Sequence, residues 1–127
     1  MSFTFDLYQG LVIVRTELTG PSGNAVLRLA LDTGSTSTLV NAGMLVAIGY
    51  DPGMALDRIE VTTASGIGYA PRIVLSRIVA LGQTRMGFPV LAHTLPPSAG
   101  VDGLLGLDFF RGLRLVVDFR TGLVIVE

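Results

Sequence analysis

The sequence predicts a mainly β fold with two short helices. Apolar residues come in short runs separated by glycine-bearing turns, the signature of strands and hairpins. Of the 127 residues, half are apolar and 15% charged, enough to bury a core. Only one stretch carries a good helix pattern, and it is brief. The length bounds the chain to one domain, residues 1–127.

Taken in order, "YQGLVIVRTELTG" reads as a strand that turns at Gly20-Pro21-Ser22-Gly23. "NAVLRLALD" is the returning strand and ends on Asp32. The helix lies in "STLVNAGMLVAIGY": Asn41 can cap it, Met44, Leu45 and Ile48 form its apolar stripe, and Gly49 can close it. A long hairpin follows, turning near Ala64-Ser65-Gly66, then a further strand pair turning near Gly82-Gln83. Pro96 and Pro97 make "LPPSAGVDG" a loop, and "LLGLDFFRGL" is a strand end running into a brief helix. "RLVVDFRTGLVIVE" forms a hairpin around Arg120-Thr121-Gly122.

Composition excludes several chemistries. The nine basic residues are all Arg and unclustered, with a net charge of −1, so no nucleic-acid surface is expected. Without cysteine there is no disulfide, thiol nucleophile or Cys-based metal site, and one histidine, His93, argues against metals generally. No cofactor is expected. His93 has no serine in a nucleophile elbow to serve, so it reads as an ordinary strand-end histidine. "GIGYA" lies in a hairpin with no helix after it and is a turn, not a dinucleotide fingerprint. No signal peptide or membrane-length apolar stretch is present, which sets a cytoplasmic location as the expectation.

Carboxylates remain. Asp6, Asp51 and Asp57 adjoin turns, Asp118 sits where it can bond backbone or Arg120, and Asp108 can cap the short helix after it. Asp32 differs, because the apolar run "VLRLAL" delivers its charge toward the interior. Thr33, Gly34, Ser35 and Thr36 follow it and can cradle an ionised carboxylate. Such a residue is either a turn aspartate or a general base. Peptide hydrolysis by aspartate needs a second carboxyl about 3 Å away, the pair sharing one proton. With one "DTG" in the chain, that reading requires a homodimer whose two-fold axis passes through the site.

Three stretches in order carry a resemblance: "ALDTGST", "TTASGIGYA" and "GLLGLDFF". Together they resemble the retropepsin-like aspartic proteases, single-domain enzymes that work as homodimers, and most nearly the bacterial and cellular members. The resemblance implies a closed β-barrel with a flap hairpin and a psi-shaped loop. It implies that Asp32 is catalytic, that Thr33 reaches the second subunit's backbone, and that the Gly34 amide and Ser35 hydroxyl support the carboxylate. Substrate binding would fall to Ser35 and to the flap residues Ala64, Ser65, Gly66 and Ile67, with Leu104, Leu105 and Gly106 packing beneath the turn. Where retroviral enzymes pair an acid with an arginine, this chain has Thr36 and Leu107, so dimerisation would rest on apolar contact and terminal strands such as "LVIVE". The implied activity is endopeptidase cleavage of extended peptides with apolar residues around the scissile bond. The alternative is a non-catalytic dimerisation or peptide-binding module with the same fold.

Overall fold

The computed structural model describes residues 1–63 and 66–127. Ten strands are seen: β1 (Ser2–Thr4), β2 (Ile13–Gly20), β3 (Gly23–Leu31), β4 (Leu39–Asn41), β5 (Arg58–Thr63), β6 (Gly66–Ala80), β7 (Gln83–His93), β8 (Gly103–Leu105), β9 (Leu115–Asp118) and β10 (Leu123–Val126). One α-helix, α1 (Ala42–Ala47), follows β4. Its start is the expected one: the Asn41 side chain accepts the Gly43 N–H at 2.9 Å. The second expected helix is a 3-10 turn, Leu107–Phe110, and a further 3-10 turn at Pro97–Ala99 lies within the loop after β7.

Strands β2-β3-β8-β4-β7-β6 form one sheet, and β6 pairs back onto β2, closing a six-stranded barrel. Closure abolishes free edges in the ring. Inward positions alternate along each strand, as with Val14, Thr16 and Leu18 of β2 and Leu27 and Leu29 of β3, all buried. With Ile73, Leu75, Val90, Leu105 and Phe109, the apolar ones of these make one continuous core.

The 15-residue strand β6 bends to serve two roles. Its first part pairs with β5 as a projecting hairpin, Arg58↔Pro71 to Thr63↔Gly66, and its second part pairs with β7 and β2. The β6–β7 pairing lapses at Ser76 opposite Gly87, where Gly87 adopts φ 58°. Across this bend the inward phase moves from Ile73 and Leu75 to Ile78 and Ala80. The Ser76 N–H freed there donates to the Tyr50 hydroxyl at 2.8 Å, and that hydroxyl donates to Thr19 O at 3.1 Å.

A separate three-stranded sheet has the order β1-β10-β9. Two sequence expectations change here. No strand was expected at the start, yet Ser2–Thr4 pairs with Leu123–Ile125. That pairing makes β10 the middle strand, so "LVIVE" has no free edge to lend to a second chain.

Candidate active site

Strand β8 lies between two strands that are neighbours in sequence. It runs parallel to β3 (Leu29↔Gly103 to Leu31↔Leu105) and antiparallel to β4 (Leu39↔Leu104, Val40↔Gly103). Residues 32–38 must therefore arch over the end of β8 to pass from β3 to β4. The arch is pinned on both sides: Asp32 N donates to Leu105 O at 3.0 Å, and Leu107 N donates to Ser35 O at 2.8 Å. This is the psi-shaped crossing, and it puts Leu104, Leu105 and Gly106 beneath the turn. Gly106 is there for space, because a Cβ would lie 2.7 Å from the Ser37 carbonyl carbon and 2.8 Å from Ser35 O.

Within the arch, Gly34 N donates to Asp32 Oδ1 at 2.9 Å and Ser35 N to Asp32 O at 3.2 Å. Asp32 is partly buried, while Thr33 and Gly34 are exposed. Among the described residues the Thr33 hydroxyl has no partner. Ser35 departs from expectation. Its hydroxyl donates to Ser37 O at 2.7 Å and leaves the Asp32 carboxylate to the backbone.

Asp108 also departs from expectation. The 3-10 turn Leu107–Phe110 has no side-chain cap. Asp108 instead holds Thr38: its carboxylate accepts the Thr38 hydroxyl at 2.7 Å and the Thr38 N–H at 2.9 Å and 3.0 Å to the two oxygens. Thr38 is fully buried, and its Oγ1 in turn accepts the Gly106 N–H at 3.1 Å. Leu91 N donates to Thr38 O at 2.9 Å. One buried threonine thus ties the end of the arch to β7, to Gly106 and to the turn carrying Asp108. Sequence reasoning missed Thr38. Its only local signal is its place just before the apolar pair Leu39-Val40.

Two depressions flank Asp32. One, of about 410 Å³, is walled by Leu11, Leu31, Leu95, Val101 and Leu104, with Asp32 as its only charged residue. The other, of about 340 Å³, lies between Gly34–Ser37 and the hairpin residues Ile59–Val61, with Leu91 also lining it. The β5–β6 hairpin therefore borders a groove that begins at the arch. Gly66 and Ile67 lie on this hairpin, with Ile67 exposed; the expected tip residues Ala64 and Ser65 lie outside the described residues. His93 is exposed at the end of β7 and lines a small cavity with Gly66 to Ala70.

Among the described residues no group of three His, Asp or Glu is placed to hold a metal ion. No helix there is long and apolar enough to cross a membrane. One carboxylate thus lies beside an open groove, on a backbone arch over an inserted strand.

Comparison with known proteins gives the family and the fold. A family model for gag-polyprotein aspartyl proteases matches residues 22–112, from the turn before β3 to just past the 3-10 turn of Asp108. Among solved structures, a retropepsin-like aspartic protease from Rickettsia conorii superposes with a TM-score of 0.75 over 99% of this chain and 88% of that one, at 16% identity. No curated protein matches the sequence. With the matched segment spanning most of the chain and the barrel and psi-shaped crossing in place, the protein belongs to the retropepsin-like gag-polyprotein aspartyl protease family.

Proposed function

We propose that this chain is an aspartic endopeptidase whose 127 residues act as one domain and whose active unit is a homodimer. The observation that carries the reading is the Asp32 carboxylate itself, fixed by the Gly34 N–H at 2.9 Å on an arch whose edge is exposed. A second copy related by a two-fold axis would set two such carboxylates about 3 Å apart, where repulsion forces them to share one proton. The ionised member takes a proton from water as the water oxygen attacks the peptide carbonyl, and the protonated member gives its proton to the carbonyl oxygen. The first carboxyl then passes its proton to the amide nitrogen while the second takes one from a hydroxyl of the tetrahedral intermediate, so the C–N bond breaks and the pair again shares one proton. Thr33, with its hydroxyl unpartnered among the described residues, is the residue to bond the facing arch. Gly34 orients the carboxylate. Ser35, Ala64, Ser65, Gly66 and Ile67 would line the extended substrate, whose backbone can add to the hairpin as a strand. Leu104, Leu105 and Gly106 supply the floor.

The test is cleavage of a diverse peptide mixture, read by mass spectrometry, with wild type and Asp32→Asn compared from acid to neutral pH. Cutting by wild type alone, with specific activity rising with protein concentration, is the expected result. Equal cutting by both proteins overturns the role of Asp32. A stable dimer that cuts nothing leaves a peptide-binding module with a protease fold.

A further inference from the structure

We propose that the cavity between the β1-β10-β9 sheet and the outer face of the barrel binds a free α-amino acid with an apolar side chain. The cavity holds about 370 Å³ and shares no lining residue with either depression beside Asp32. The inference therefore stands apart from the role of Asp32. Its apolar walls are Phe3, Phe5, Ile13, Val79, Leu81 and Val124. Leu81 and Val124 are buried, and the other four are half-buried. Leu81 takes φ 51° in the β6–β7 turn, a left-handed conformation unfavourable for a bulky side chain. Glycine or asparagine fits that turn position with less strain, whereas leucine gives the cavity an apolar wall.

Two charged residues belong to the same wall. Ile13, Arg15 and Glu17 alternate along β2 with the buried residues Val14, Thr16 and Leu18, so their side chains leave the barrel on its outer face. Arg15 and Glu17 both line the cavity, Arg15 exposed and Glu17 half-buried. Two residues apart on a strand, their Cβ atoms are about 7 Å from each other. No ion pair joins them, since the described residues hold only Arg72–Asp57 and Arg114–Glu127. Among the described residues neither head group has a hydrogen-bond partner. Arg15 also lies directly opposite Arg28 of β3, and like charges facing each other across a strand pair repel. Arg28 sends its guanidinium to Gly100 O at 3.2 Å, which leaves Arg15 to receive an anion.

The chemistry of the cavity selects its occupant. Apolar walls with one cation and one anion beside them are complementary to a zwitterion that carries an apolar tail. The carboxylate takes the Arg15 guanidinium, whose planar fork matches it. The ammonium takes the Glu17 carboxylate, and the tail displaces water from Phe3, Phe5 and Val79. A peptide end does not meet both requirements, because it brings one of the two charges and an amide in place of the other. The volume is at the small end of the range for small-molecule sites, roughly 300–1,000 Å³. It suits a single amino acid and not a length of chain.

Isothermal titration calorimetry of the full chain tests the proposal, with L-leucine and L-phenylalanine as probes. Wild type, Arg15→Gln, Glu17→Gln and Asp32→Asn are compared, each checked for native circular dichroism. The expected result is saturable binding of one amino acid per chain. N-acetyl-L-leucine lacks the cation and L-leucinamide lacks the carboxylate. Each should bind wild type roughly 10-fold more weakly, or worse, through loss of one charge-assisted contact. Arg15→Gln should weaken leucine by a similar factor and no longer distinguish it from leucinamide. Glu17→Gln should do the same toward N-acetyl-leucine. Asp32→Asn should bind leucine as wild type does. Absence of saturable binding, equal binding of the blocked derivatives, or unchanged leucine affinity in either cavity variant overturns the proposal. Loss of binding in Asp32→Asn would assign the amino acid to the groove beside that residue, also against it.

Discussion

Thr38 is the residue on which the arch turns. Its hydroxyl donates to Asp108 and accepts from Gly106 N in a fully buried site. Replacing it with valine keeps the shape and removes both bonds, leaving the buried Gly106 N–H without its acceptor and Asp108 Oδ1 with the Thr38 N–H alone. Thr38→Val should cost about 2 kcal/mol of stability, read as a lower urea midpoint with unchanged slope. Asp32 stood out in the sequence as the candidate carboxylate because a charge at the end of an apolar run needs a reason. Thr38 was not. Residues 33–38 hold five hydroxyl side chains, and only the tertiary structure decides which one is buried. Ser35 and Asp108 were misassigned on the same ground. Their sequence neighbours suggested the carboxylate of Asp32 and a helix cap, whereas the bonds they make are to Ser37 O and to Thr38, the latter 70 residues from Asp108.

Elements closed by local turns were legible, and elements defined by distant pairing were not. The β2–β3, β5–β6, β6–β7 and β9–β10 hairpins sit where glycine-bearing turns placed them. By contrast β1 and β8 have three residues each, too few for a pattern, and exist because β10, β3 and β4 accept them. The β9–β10 turn offers a pH test. Bonds to Asp118 from Arg120 N, then from the Thr121 side chain and N–H, hold its carboxyl below the ordinary value of 3.8. A depressed folded pKa means the ionised carboxylate stabilises the turn at neutral pH, and that contribution is lost as pH falls below 3.8 through the folded value. Asp118→Ala should therefore be less stable than wild type at pH 7, with the gap narrowing on acidification in chemical denaturation.

At the scale of the molecule, barrel closure couples every part of the site. β6 reaches from the hairpin over the groove to β2 at the far side, and β8 locks β3 to β4. A ring with one continuous core should come apart as a unit. At a fixed protein concentration, urea unfolding followed by far-ultraviolet circular dichroism and by tyrosine fluorescence should give coincident transitions. Separate transitions would show that the three-stranded β1-β10-β9 sheet melts apart from the barrel. Fold class was legible because strand patterning is local, while the closure of the ring entered only through a resemblance; β6 returning to β2 has no signature in either strand.

The inserted strand β8 also sets an order of events. As the chain leaves a ribosome, Asp32 emerges long before Leu105 and Gly106, and Thr38 precedes Asp108 by 70 residues. Until that later segment arrives, the arch has no floor and Thr38 has neither of its side-chain bonds. A nascent or truncated chain lacking "GLLGLD" would carry the aspartate without the means to aim it. Under the proposed protease function, the topology of β8 would leave Asp32 unaimed until that segment has been made.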